Sequence, residues 1–143
     1  ANSQPSQAAD NDAITRRITP GFIASKWEYE HFEDNSRIAL WRNAIQIGVP
    51  VIMGFYLTKA YDDIPNTENT HARPVKEVGS DGHAVTVMGY NDKHDNGALN
   101  SGAFLIRDSI GDVFPNNDGC WWLPYELVET HLIADSWTVI SVT

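Results

Sequence analysis

Residues 82–111 read GHAVTVMGYNDKHDNGALNSGAFLIRDSIG. Two runs rich in β-branched and aromatic residues, 83–90 and 103–108, flank a loop of Asn, Asp and Gly from Asn91 to Gly102. A connection of that length suits a long hairpin better than a helical crossover, so the two runs are expected to pair antiparallel. In such a pair the beginning of one strand lies beside the end of the other, which makes His83 and Asp108 neighbours. An acceptor that holds an imidazole N–H fixes the tautomer and orientation of the ring, as general-base work on a nucleophile requires. Plainer readings stand beside this one. A histidine opening a strand is often a hydrogen-bonded structural residue, and Asp before Ser-x-Gly commonly closes a turn.

Upstream, Asp34, Asn35 and Ser36 are N-cap types, and Ile38, Trp41, Ala44 and Ile45 recur at helical spacing before Gly48 and Pro50. This pattern predicts a short amphipathic helix over 36–47. Residues 49–57 follow as a mostly buried strand, and the polar residues 62–82, with two prolines, read as a long surface excursion. Downstream, 109–119 are loop, 120–124 a short strand or turn, 125–132 a helical turn entered after Pro124, and 136–142 a closing strand. Residues 1–13 are too poor in large apolar side chains to offset their ordering entropy and read as a disordered arm or linker. Residues 14–33 read as an extended connection broken at Pro20-Gly21. The fold class is therefore α+β, one helix on an antiparallel, barrel-like sheet of four or more strands, in a single unit over 14–143.

The 143 residues carry 19 Asp and Glu against 10 Lys and Arg, a net charge of −9. Nucleic-acid binding draws on Lys and Arg displacing counterions, so such a partner is excluded. The longest apolar run, Gly48 to Leu57, is half of what a bilayer crossing needs, and no membrane span is expected. The single cysteine, Cys120, can make neither an internal disulfide nor a thiolate zinc site. His31, His71, His83, His94 and His131 include no i, i+4 pair, and no Gly-rich phosphate loop occurs. No metal and no cofactor are expected.

Five ordered pieces from about residue 36 to 140 resemble the papain-like cysteine peptidases, family C1, in particular their bacterial members. Ala39-Leu40 with Gly48-Val49-Pro50-Val51 is similar to that family's helix followed by a G-x-PV strand. Gly54-Phe55-Tyr56 with Tyr61 is similar to the aromatic stretch after it. Gly82-His83-Ala84-Val85 with Gly89-Tyr90-Asn91-Asp92 resembles GHAV…VGYDD, and Phe104 to Gly111 resembles F-x-I-[RK]-NSWG. Gly119 with Trp122-Leu123-Pro124-Tyr125-Glu126 resembles NGY-x-LPYEY.

The resemblance implies the C-terminal, sheet-rich half of a papain-like fold and peptide-bond hydrolysis through a thioester. It gives His83 the place of the general base and Asp108 the place of the asparagine that orients it. The carboxylate is a departure, and Ile110 departs again, standing where a shielding tryptophan is usual. Gly82, Ile110, Trp121 and Trp122 become candidates for substrate or cleft contact, core packing being the plainer reading of the tryptophans. The helix that carries the family's nucleophile has no counterpart, and Cys120 falls where the family keeps a structural residue. The nucleophilic cysteine is accordingly expected on a second polypeptide segment, missing here or separate, with a peptide or protein as substrate and a secreted or extracytoplasmic setting. Two alternatives stay open: a catalytically inactive papain-like binding or inhibitory module, and a C39-like peptidase domain, whose acidic residue at the end of this strand Asp108 matches better.

Overall fold

The computed structural model describes residues 7, 22–26, 36–67, 70–71, 79–95, 102–111, 113–114 and 119–141. Six strands, β1 (Phe22–Lys26), β2 (Val51–Tyr56), β3 (Gly82–Asn91), β4 (Ala103–Arg107), β5 (Cys120–Pro124) and β6 (Ile133–Ser141), form one sheet in the order β1-β6-β2-β3-β4-β5. Every neighbouring pair is antiparallel. Among the described residues the sheet is joined by α1 (Arg37–Gln46), α2 (Lys59–Asp62) and α3 (Tyr125–Val128), with a 3-10 turn at Ile64–Asn66.

Helix α1 starts where its cap residues place it. Ser36 Oγ accepts from the Ala39 amide at 3.2 Å, and the Glu129 carboxylate accepts from the Ile38 amide at 3.1 Å. Two otherwise orphan N–H groups are thus satisfied, one of them by a negative charge at the positive end of the helix. The Arg37 guanidinium donates to the Val128 carbonyl at 2.8 Å, which fastens the same end to α3. Trp41 is fully buried, edge-on to Phe104 at 5.3 Å, and its indole N–H donates to Ser136 Oγ at 3.2 Å. Burying a tryptophan removes about 150–250 Å² from water, roughly 4–6 kcal/mol, so this one side chain largely decides where α1 sits on the sheet.

The inner face of the sheet follows the period of two. Val51, Met53 and Phe55 of β2, Val85 and Val87 of β3, Ile106 of β4, and Trp121 and Leu123 of β5 are all buried. In β3 the register passes from Val87↔Ile106 to Gly89↔Leu105, leaving Met88 as the extra residue of a bulge, half exposed. One extra residue exchanges the faces beyond it. Tyr90 therefore turns inward, pairs with Phe104 and packs against the core.

Two expectations need correcting. Residues 22–26, read as part of an extended connection, form an edge strand paired with β6 along its whole length. The stretch from 62 is not simply surface. Ile64 and His71 are fully buried, because the 3-10 turn containing Pro65 sends the chain inward, and the His71 amide donates to the Trp122 carbonyl at 2.9 Å along β5. The arm at 1–13 lies outside the described residues apart from Gln7.

Candidate active site

His83 is the second residue of β3, opposite Phe55 of β2, and its side chain shares the inner face with Val85 and Val87. Asp108 follows the last residue of β4. Continuing the Thr86↔Arg107 pairing by one step sets Asp108 level with Val85, hence diagonal to His83, a spacing that side chains bridge. His83 Nε2 and Asp108 Oδ1 are 3.0 Å apart. The hairpin register thus brings together two residues 25 positions apart in the chain.

The carboxylate is deeply held. Its side chain is 0% exposed, against 24% for His83. Oδ1 also accepts from the Ile110 amide at 3.1 Å, so Asp108 closes the turn after β4 as well as meeting the imidazole. Oδ2 accepts from the Tyr61 hydroxyl at 2.9 Å and from the Trp121 indole N–H at 3.0 Å. Burial pushes the Asp108 carboxyl up, but the hydrogen bonds from His83, Trp121, the Ile110 amide and Tyr61 outweigh it and hold the group below its ordinary value. Burial first, then the neighbouring carboxylate, push the Tyr61 phenol well above its ordinary value, so it stays a donor. An ionised carboxylate only accepts, which assigns the hydrogen to His83 Nε2 and leaves Nδ1 with the lone pair. Among the described residues no hydrogen-bond partner meets Nδ1.

Rings from three elements surround this pair. The His83 ring lies 5.8 Å from Phe55 and 5.8 Å from Tyr61. Tyr61 in turn meets Phe114 at 6.5 Å and Trp121 at 6.0 Å. Local backbone supports the arrangement. The Asp108 amide donates to the Gly119 carbonyl at 2.9 Å, and Gly119, at φ +78°, approaches Gly111 so closely that a Cβ on it would stand 3.2 Å from Gly111 Cα. Only glycine suits that corner.

The remaining candidates are placed as follows. Gly82 opens β3 opposite Tyr56, next to His83 but on the outer face. Ile110 serves through its backbone, the residue being 49% exposed. Trp121 is fully buried behind Asp108, so it supports the carboxylate and does not wall an open cleft. Trp122 alternates with it to the outer face, stacked on His94 at 4.3 Å. Cys120 also lies on the outer face, paired with Arg107, whose guanidinium donates to its Sγ at 3.9 Å. The sheet separates this thiol from His83. Sequence reasoning gave no role to Tyr61, and none to His71, buried 5.8 Å from Trp121. Tyr61 stood within the quoted aromatic stretch, while His71 carried no signal at all. Among the described residues no group of three or more His, Cys, Asp or Glu could hold a metal ion.

No family model matches the sequence, and no curated protein does. Solved structures do. Xylellain, a cysteine protease from Xylella fastidiosa, is similar over 99% of this chain at 26% identity and a TM-score of 0.71. The cysteine protease and lectin-like domains of Cwp84, a surface layer associated protein of Clostridium difficile, are similar over 72% at 23% identity and a TM-score of 0.54, and SERA5E from Plasmodium falciparum over 86% at 18% and 0.53. This chain spans 47% of the xylellain chain, 24% of the Cwp84 chain and 46% of the SERA5E chain. With the antiparallel sheet and short helices of its described residues, it has the α+β architecture of the C-terminal half of a papain-like fold.

Proposed function

We propose that this chain is part of a papain-like cysteine peptidase of the bacterial C1 type, contributing His83 as general base and Asp108 as the group that orients it. The observation that carries the reading is the His83 Nε2 to Asp108 Oδ1 bond of 3.0 Å, which fixes the ring with Nδ1 unpartnered among the described residues. In the proposed cycle Nδ1 takes the proton of a cysteine thiol, and the thiolate attacks the scissile carbonyl. The imidazolium then returns its proton to the departing amine, leaving a thioester. Nδ1 next deprotonates a water, which attacks the thioester and releases the acid, and the proton passes back to the sulfur.

Cys120 does not fit the nucleophile's role, since it lies across the sheet from His83 beside Arg107. The nucleophile therefore belongs to a segment outside these 143 residues, on the same or a separate chain, and the substrate is a peptide or protein. We place the protein outside the cytoplasm, as the surface-layer association of Cwp84 favours. Among the described residues no helix is long and apolar enough to cross a membrane.

Native mass spectrometry of the protein from its producing cell, after iodoacetamide or a thiol-directed epoxide, tests this. A labelled cysteine on a segment travelling with this chain, labelling more slowly when His83→Ala is introduced, supports the peptidase. A chain that runs alone with no labelled thiol refutes it and favours the inactive binding module.

A further inference from the structure

Each oxygen of Asp108 faces a group that can only donate. The Ile110 amide N–H meets Oδ1 at 3.1 Å, and the Trp121 indole N–H meets Oδ2 at 3.0 Å. Neither nitrogen has a lone pair to offer. The other two partners are ambivalent. The Tyr61 hydroxyl, 2.9 Å from Oδ2, can donate or accept, and His83 Nε2, 3.0 Å from Oδ1, changes role with its tautomer.

A carboxamide has one accepting oxygen and one donating NH₂. Turned one way in this place, its N–H groups confront the Trp121 indole N–H. Turned the other way, they confront the Ile110 amide and oblige His83 Nε2 to accept, which transfers the ring hydrogen to Nδ1. A carboxylate accepts from all four. The side chain is 0% exposed, so water cannot relieve a mismatch there.

We propose that Trp121, together with the Ile110 amide, restricts position 108 to an ionised carboxylate and is thereby a positioning residue that sets the Nε2–H tautomer of His83. The proposal rests on reading His83 as the base of the site. Aspartate in place of the family's asparagine is then no decay of the site, because the indole on β5 and the carboxylate after β4 form a matched pair. Tyr61 adds a bond without selecting, since its hydroxyl serves either a carboxylate or an amide.

The test uses the full chain, ¹⁵N-labelled, in six forms: unmodified, Asp108→Asn, Trp121→Phe, the Asp108→Asn/Trp121→Phe double variant, Asp108→Asn/Tyr61→Phe, and Asp108→Asn with 3-benzothienylalanine at position 121. Ring-nitrogen chemical shifts report the His83 tautomer and thermal melting reports stability. Asp108→Asn is expected to lower the melting midpoint by about 3–6 °C and to move His83 away from the pure Nε2–H form. Adding Trp121→Phe restores the Nε2–H form, whereas adding Tyr61→Phe does not. Because phenylalanine also removes volume, 3-benzothienylalanine at position 121, which keeps the bicyclic ring and lacks the N–H, provides the volume-matched melting comparison. It restores both the midpoint and the tautomer in the Asp108→Asn background. An Asp108→Asn protein with unchanged tautomer and midpoint overturns the proposal, as does failure of the N–H-free ring to restore them. Neither readout involves hydrolysis, so these outcomes leave the peptidase reading standing. Absence of a labelled cysteine partner overturns that reading while leaving the tautomer pattern intact.

Discussion

Tyr61→Phe isolates the worth of one hydrogen bond to a buried charge. The substitution keeps the ring, which packs 5.5 Å from Phe55, 5.8 Å from His83 and 6.0 Å from Trp121, and deletes only the hydroxyl that donates to Asp108 Oδ2 at 2.9 Å. Hydrogen bonds to charged groups contribute about 1.5–3 kcal/mol. Three donors remain on the carboxylate, so the lower part of that range applies, about 1.5–2 kcal/mol at pH 7. For a chain of this size that is a fall of about 4–7 °C in melting midpoint, or roughly 0.7–1.5 M in the urea midpoint with unchanged slope, read by tryptophan fluorescence. The pH dependence has a definite sign. Asp108 is held below its ordinary value in the fold and returns to about 3.9 in the unfolded chain, so its contribution is complete above that value and is lost as the pH falls below it. The gap between the two proteins must therefore be full at neutral pH and narrow below about pH 4. A gap under about 0.5 kcal/mol at pH 7, or one undiminished in acid, refutes the role given to this hydroxyl.

Three other outcomes follow from the geometry. If the proposed peptidase function holds, His83→Ala, assayed with the proposed cysteine-bearing segment, should cut peptide hydrolysis by about 10³–10⁶-fold. Its unfolding free energy in urea should fall by no more than about 1 kcal/mol, since the side chain is partly exposed and Asp108 retains three donors. Gly102→Ala places a Cβ 2.5 Å from the Tyr125 ring at a backbone φ of +112°, and should cost about 2–4 kcal/mol in urea unfolding; a near-neutral result would mean Tyr125 is free to move aside. Burial pushes the His94 imidazole below its ordinary value, with Asp95 opposing weakly, so the unfolded chain binds its proton more readily and stability must fall as the pH drops through about 6.5. His94→Asn should flatten that part of the stability profile between pH 7.5 and 5, measured by urea titrations across the range.

The sequence made legible what local pattern controls. Ser36, Trp41 and Ala44 announced α1 by cap and spacing, and the structure starts the helix at Arg37 with Ser36 as its cap. The β-branched and aromatic runs 83–90 and 103–108 marked β3 and β4, and the length of the loop between them gave the antiparallel sense, and with it the juxtaposition of His83 and Asp108. What stayed hidden depends on distant partners. Tyr61 is 47 residues from Asp108, on a four-residue helix no periodicity reveals, and Trp121 looked like any strand tryptophan until β5 placed it behind the carboxylate. The bulge at Met88 left no mark either, because one extra residue among apolar neighbours changes no composition. Residues 22–26 lacked a strand-like period of their own and gain their place from β6.

These distances in sequence also explain how the fold alone fixes the groups around Asp108. The groups around Asp108 come from α2, β3, the turn after β4, and β5, so the carboxylate is fixed by elements that the sheet already orders. Its rotamer and the orientation of the imidazole are set at the moment of folding. On the peptidase reading, a segment that delivers a thiol to Nδ1 then need not order the base as it docks, because that entropy has been spent within this chain. The outer face, where Cys120 meets Arg107 and Trp122 stacks on His94, takes no part in this. On the peptidase reading the thiol meets His83 on the inner face, opposite Cys120, so substitutions on the outer face should alter stability without changing how fast a delivered thiol reacts.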